Sequence, residues 1–209
     1  MPRGLSWRDS SLTKEEYALL KSLKTPQRIQ NFLNTLPFDF ADGGKMNRSV
    51  RGTLKSKKTD CMGGAVLAAA ALWVQGKAPL LLDLTTSKDD YDHVVAVFKV
   101  GKCFGAISKT NHSVLRYREP IYKSIRELAM SYFHEYFLPN GRKTMRSFSK
   151  PFDLSKQGTK WLTSPESLLD IAELLDDSPH TQVASAGQIK AFRKVDEIER
   201  EAGEITEYP

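Results

Sequence analysis

Two residues of this 209-residue chain, Cys61 and His93, carry side chains that together can perform nucleophilic catalysis. A cysteine thiolate attacks carbonyl carbons, and a histidine can take up and return the proton that such an attack moves. Cys61 opens the apolar stretch CMGGAVLAAAALWVQ. A helix starting there would favour the thiolate through its dipole and unpaired amides, and the backbone amides of Cys61 and Met62 are predicted to form an oxyanion hole. The alternative is that Cys61 is a small core residue and His93 a structural histidine.

The stretch that begins at Cys61 is predicted to be a buried helix running to Gln75. Thr59 or Asp60 can cap it, its alanines and leucines favour helix, and apolar residues lie all around it. Gly76 is typical of the residue that follows a helix. Such a helix would hold Cys61 at a fixed point on the edge of the core.

His93 opens the first of two predicted strands, 93–100 and 103–108. The intervening Gly101 and Lys102 indicate a two-residue hairpin turn. A histidine at the end of a rigid strand has a fixed position, which is what a general base requires.

The hairpin also predicts which side chains neighbour His93. With a two-residue turn, Val100 pairs with Cys103, and counting back places Thr110 opposite His93. Ser108 then becomes the diagonal neighbour of His93 on the same face. Cys103 faces the other side of the sheet, so we expect it to be structural.

The order of these features resembles the transglutaminase-like superfamily. A cysteine opens a buried helix, a short strand follows at residues 80–84, and a histidine then leads a hairpin, all within residues 25–113. The resemblance implies an α+β fold with a papain-like core, in which N-terminal helices and a buried, cysteine-bearing helix pack on a small antiparallel sheet, followed by C-terminal helices. Residues 115–152 are similar to bacterial proteins of unknown function that carry this domain.

The family uses a Cys-His-Asp triad, and the resemblance assigns Cys61 as the nucleophile and His93 as the base. Ser108 occupies the position of the aspartate. A serine can orient an imidazole but supplies no negative charge to stabilise an imidazolium. Asn111 is an alternative orienting residue, because an asparagine carbonyl has this role in papain-like enzymes. Asp83 and Asp92 are further candidates to approach His93, and the sequence does not choose among them.

Two functions follow from this resemblance. The first is a cysteine-dependent enzyme that hydrolyses or transfers an acyl group from an amide, a peptide or a similar compound. The second is a catalytically degenerate relative that binds a peptide or a partner protein, which the missing aspartate favours. In both cases the expected partner is a peptide or protein, and the residues predict no cofactor. The oligomeric state is not predicted.

Sequence periodicity and capping residues predict further elements around this core. Residues 48–58 are expected to be a basic loop with some helix, and residues 42–44 a turn. The remaining helices are predicted at residues 13–23, 25–36, 120–138, 165–176 and 188–201.

Composition limits the classes of protein that fit. Two cysteines are too few for a disulfide scaffold, and four scattered histidines give no zinc spacing, so no metal site is expected. No secretory signal and no apolar run long enough to span a bilayer occurs, so we expect a cytoplasmic protein with no membrane association.

Charge is distributed unevenly over a net value of +6. Residues 161–209 hold 4 basic and 11 acidic residues, so the preceding residues form a basic body. We therefore predict a transglutaminase-like domain at residues 1–160 and an acidic helical extension at residues 161–209. The favoured interpretation is that the acidic extension screens the basic body. Nucleic-acid binding is not expected, because no recognition motif accompanies the charge.

Overall fold

The computed structural model describes residues 4–40 and 47–207. The helices are α1 (Trp7–Ser10), α2 (Lys14–Ser22), α3 (Pro26–Asn34), α4 (Val50–Ser56), α5 (Cys61–Val74), α6 (Ile125–Met130), α7 (Leu169–Asp176), α8 (Ala186–Lys190) and α9 (Glu197–Gly203). The strands are β1 (Leu80–Thr85), β2 (His93–Val100), β3 (Cys103–Ile107), β4 (Arg118–Tyr122), β5 (Ser147–Ser149), β6 (Phe152–Asp153) and β7 (His180–Gln182). Short 3-10 helices cover Phe133–Glu135, Leu154–Gln157 and Lys160–Leu162. The chain is thus an α+β protein.

The predicted buried helix is confirmed as α5. Asp60 caps it, with its side chain accepting a hydrogen bond from the amide of Gly63 at 2.7 Å. Eleven of its residues, from Met62 to Leu72, are buried. Gly76 adopts the left-handed conformation (φ +78°) just after the helix, where glycine is the least strained residue.

The strands form a seven-stranded antiparallel sheet with the order β4-β3-β2-β1-β5-β7, and β6 also pairs with β1. The β2–β3 hairpin has the predicted register, with Val100 opposite Cys103 and Ala96 opposite Ile107. Gly101 in the turn has φ +58°. The register therefore places the chain after Ile107 beside the start of β2, where His93 lies.

The sheet separates two hydrophobic cores. Ala96 and Phe98 of β2 belong to the core that contains Leu67 and the rest of α5. Val97, between them and pointing the other way, belongs to the core that contains Tyr132. Both faces of β2 are covered, and its first residue therefore has a rigid support.

The predicted helix at residues 120–138 is wrong. The segment begins as β4, whose Tyr122 pairs with Phe104 and whose Arg118 pairs with Ala106 of β3. Pro120 suits this edge strand because proline has no amide hydrogen to donate. Ser124 then caps α6, which accounts for only six residues of the segment. Pairing with the free edge of β3 overrides the helical periodicity of the segment.

The C-terminal helices also differ from those predicted. The helix expected at residues 165–176 begins only at Leu169 as α7. The helix expected at residues 188–201 is divided into α8 and α9, because Asp196 starts a new helix with a capping box to Glu199. In both segments the spacing of apolar residues is helical over a longer range than the helix itself. The second segment is interrupted because the capping residue Asp196 begins a new helix.

Residues 161–207 share the cores and the sheet of the preceding residues. Trp161 is buried and stacks on Trp73 with ring centroids 6.0 Å apart, and Leu175 joins the same core. β7 extends the sheet through β5. The acidic segment therefore packs against the basic body.

The N-terminal helices agree with their predictions. Thr13 forms a capping box with Glu16 at α2, and Thr25 caps α3. Ser49 caps α4 within the basic stretch. The turn predicted at residues 42–44 lies outside the described residues. Among the helices in the described ranges, none combines the length and apolar character needed to cross a membrane.

Candidate functional site

Cys61 is the first residue of α5 and is partly accessible. The backbone amides of Val94 and Met62 are directed at its sulfur. Because Val94 follows His93 in β2, this contact places the sulfur at the start of the strand that His93 opens. The helix N-terminus and the sheet edge thus place Cys61 and His93 in the lining of one cleft.

His93 is fixed by a chain of two hydrogen bonds. Its Nε2 lies 2.8 Å from the Oγ of Ser108, as the predicted diagonal contact requires. The Ser108 hydroxyl donates its own hydrogen to the carbonyl of Leu115 at 2.5 Å. Ser108 must therefore accept from His93, which places the imidazole hydrogen on Nε2. This tautomer leaves Nδ1 as the basic nitrogen of the ring.

The other candidate orienting residues have different partners. Asp83 accepts a hydrogen bond from His180 at 3.2 Å and is buried away from the His93 ring. Asp92 accepts from the amide and hydroxyl of Thr86. Asn111 is buried and lines the same cleft as His93, but no hydrogen bond joins the two side chains in the described part of the chain. Ser108 is the candidate that contacts the imidazole.

A glutamate that the sequence did not single out supports this arrangement. Glu135 accepts a hydrogen bond from the amide of Leu115 at 2.6 Å and also pairs with Arg118 at 2.6 Å. Leu115 adopts the left-handed conformation (φ +59°), which costs an L-residue about 1–2 kcal/mol. Glu135 thus holds the Leu115 carbonyl in the orientation that engages Ser108. Its role could not be seen from the sequence, since it lies within the wrongly predicted helix.

Cys61 and His93 line a cleft of about 510 Å³. Phe38 and Phe40 contribute apolar surface to it. Tyr136 is also in its wall, and its hydroxyl is buried without a hydrogen-bond partner among the described residues. An unpaired hydroxyl of this kind is available to donate to a ligand in the cleft.

Burial controls the charge state of the pair. Burial and, to a smaller extent, the adjacent Asp60 carboxylate together raise the pKa of Cys61 to about 12, against the opposing effect of the Val94 and Met62 amides. Burial likewise lowers the pKa of His93 to about 4, with a smaller contribution from His112. At neutral pH the site therefore contains a thiol and a neutral imidazole. The thiolate expected from the helix N-terminus is not the resting form, because desolvation outweighs the dipole.

The backbone amides of Val94 and Met62 act on the Cys61 sulfur, whereas an oxyanion hole must be directed at the carbonyl oxygen of a substrate. In the first turn of α5 the Gly63 amide is used by Asp60, and the Gly64 amide bonds the Asp60 carbonyl. The amides of Cys61 and Met62 precede the first intrahelical bonds. The Met62 amide favours the thiolate form of Cys61, and the oxyanion hole formed by the Cys61 and Met62 amides stays a prediction.

Within the described ranges, no group of three or more histidine, cysteine, aspartate or glutamate side chains is arranged to hold a metal ion. No model of a known protein family matches the chain. Curated proteins likewise include none that matches it.

Proposed function

We propose that the chain has a papain-like, transglutaminase-like core and acts as a cysteine-dependent acyl-group enzyme. The observation that carries this proposal is the His93–Ser108–Leu115 hydrogen-bond chain beside Cys61. It fixes one imidazole tautomer, with Nδ1 unprotonated, in a cleft that Cys61 also lines. A general base depends on such a fixed tautomer with one unprotonated nitrogen.

The reaction begins from a neutral pair. As the Cys61 sulfur bonds to the carbonyl carbon, its proton passes to Nδ1 of His93. The carbonyl oxygen becomes an oxyanion, which the amides of Cys61 and Met62 and the Tyr136 hydroxyl stabilise by hydrogen bonds. The bond to the leaving group breaks as His93 returns the proton to it, leaving an acyl thioester on Cys61. Water or an amine then attacks the thioester as His93 accepts its proton, the C–S bond breaks, and His93 returns the proton to the departing Cys61 sulfur.

Ser108 limits the rate of this reaction. It accepts a hydrogen bond from the transient imidazolium but adds no negative charge. Each step that charges His93 must therefore overcome the burial that keeps its pKa at about 4. We expect a slow enzyme, or one that is specific for a reactive acyl donor such as a thioester.

A degenerate, peptide-binding relative is the second candidate. The neutral thiol and the serine in place of an aspartate favour it, because both reduce nucleophilic power. The cleft itself is retained in this candidate, with Phe38, Phe40 and the Tyr136 hydroxyl as its binding surface.

Acylation of the native chain by an activated thioester separates the two candidates. Mass spectrometry should detect the acyl group on Cys61, and Cys103, on the outer end of the hairpin, serves as the internal control. His93→Ala should slow acylation of Cys61 by about 10²–10⁴-fold, the usual contribution of a general base.

A second outcome would reject the enzyme. If Cys61 stays unmodified until the protein unfolds, or reacts equally well without His93, the pair is not catalytic. Peptide binding is then measured with the Cys61→Ala variant. A thermal unfolding curve verifies that this variant is folded.

A further inference from the structure

The chain runs beside its own cleft at the C-terminal end of the described residues. Residues 204–207, called the strap below, lie antiparallel to residues 111–113. The amide of Ser113 donates to the carbonyl of Ile205 at 2.9 Å, and the amide of Glu207 donates to the carbonyl of Asn111 at 2.7 Å. His112 and Thr206 form the bridge between these two bonds.

The strap lies at the catalytic end of the cleft. Asn111 and His112 line the cleft with Cys61 and His93, and so does Glu204 from the strap itself. Residues 111–113 follow Ser108, the partner of His93, by only three to five positions. A chain that pairs with this edge is therefore held along the cleft that Cys61 lines.

The strap is held by features that many peptides could supply. Its two ladder bonds use backbone atoms, and the side chains of Glu204, Ile205 and Glu207 are exposed, Ile205 by 63%. Its one ion pair joins Glu207 to Arg116 at 3.2 Å and is open to solvent on both sides. Such a pair contributes about 1 kcal/mol or less. No side chain anchors these three residues in the core, so the strap can be displaced.

This kind of backbone pairing is how an extended peptide adds to an exposed edge. We propose that residues 111–113 form a binding site for an extended acidic peptide, and that the strap occupies this site as an internal competitor. The acidic class follows from the local charge at this edge, because Arg116 faces the carboxylate of Glu207.

That the bound peptide is also the acyl donor depends on the proposed function, whereas its binding does not. A peptide paired with residues 111–113 would have part of its backbone close to Cys61. In the catalytic case it is the substrate, and in the degenerate case it is the ligand.

The test uses a fluorescent peptide with the sequence of residues 203–207, Gly-Glu-Ile-Thr-Glu. Full-length wild-type chain, in which the strap competes at an effective concentration in the millimolar range, should bind it weakly. Glu207→Pro removes the amide that donates to Asn111 and should raise the affinity for the probe at least tenfold. Glu207→Gln keeps that amide and should raise the affinity much less.

Two further measurements locate the binding site. Arg116→Ala in the Glu207→Pro background should weaken binding about two- to fivefold, as expected for one exposed ion pair. A probe with both glutamates replaced by lysine should bind less tightly than the acidic probe.

Equal affinity of wild type and Glu207→Pro for the probe, or absence of binding to both, would overturn the proposal. Binding of the probe is measured in Cys61→Ala as well. Binding that persists there while no acylation is detected rejects only the enzyme, and acylation of Cys61 without probe binding rejects only the peptide site.

Discussion

His180 and His93 have different hydrogen-bond partners, and their pKa values shift in opposite directions. The Nδ1 atom of His180 lies 2.6 Å from the carbonyl of Ser178, and its Nε2 atom lies 3.2 Å from the carboxylate of Asp83. The hydrogen bond to Asp83 raises the pKa of His180. The side chain of His93 contacts the hydroxyl of Ser108, and burial lowers its pKa to about 4.

The difference shows what a carboxylate contributes beside an imidazole. A hydroxyl orients the ring, but only a carboxylate offsets the cost of burying its positive charge. In this chain the buried aspartate of β1, Asp83, lies beside His180, and the cleft has a serine instead. Asp83 therefore favours the imidazolium form of His180, whereas burial favours the neutral form of His93 in the cleft.

The largest expected effect of this contrast is on stability at acidic pH. Between pH 6.5 and pH 4 the unfolded chain protonates His93 while the folded chain does not, so the free energy of unfolding should fall by about 3 kcal/mol as the pH falls through this range. His93→Gln keeps a donor for Ser108 but does not titrate. Urea denaturation at pH 7 and pH 4 should show this loss in wild type relative to the variant.

Other titrating groups are present in both proteins and cancel in that difference, including His180. A difference in unfolding free energy that is the same at both pH values would mean that folded His93 titrates normally. The contrast between the two histidines would then be lost.

Ser108→Asp is expected to have the next largest effect. A carboxylate 2.8 Å from Nε2 should raise the pKa of His93 by about 2 units, since an opposite charge at this range shifts a pKa by about 1–3 units. Two-dimensional NMR of the imidazole nitrogens measures the titration directly. Ser108→Asn is the matched control, because its amide can still donate to Leu115 and accept from His93 without adding charge.

We also expect Cys61 to be alkylated faster at neutral pH in Ser108→Asp than in wild type. In Ser108→Asn the alkylation rate should stay at the wild-type value. If His93 keeps its low pKa in the aspartate variant, its charge state is set by burial alone, and the identity of residue 108 does not distinguish it from His180.

The geometry around His93 could be predicted because it is local. The Gly101 turn fixes the hairpin register, and the register fixes the contact between Ser108 and His93. The helix that presents Cys61 could be predicted for a similar reason, because its cap and its terminating glycine lie next to it in the sequence.

The contacts that could not be predicted join distant parts of the chain. Asp83 and His180 are 97 residues apart, and no local pattern pairs them. Glu135 reaches Leu115 only because residues 118–122 form a strand that returns along β3. The charge state of Cys61 also depends on the packing of whole elements around it, whereas the helix dipole that suggested a thiolate can be inferred from a few neighbouring residues.

Asp83→Asn is expected to have the smallest effect, with a pH dependence opposite to that of His93. Because Asp83 raises the pKa of His180, its stabilisation is fully present below the unfolded value of about 6.5 and is lost as the pH rises through the folded value. The variant should therefore lose about 1–2 kcal/mol of unfolding free energy at pH 6, the contribution of a charged hydrogen bond, and less at pH 9.

A double-mutant cycle with His180→Gln isolates this coupling from other effects of the substitution. Equal losses at pH 6 and pH 9 would show that Asp83 serves only as a packed acceptor, and an imidazolium at His180 would no longer set it apart from His93.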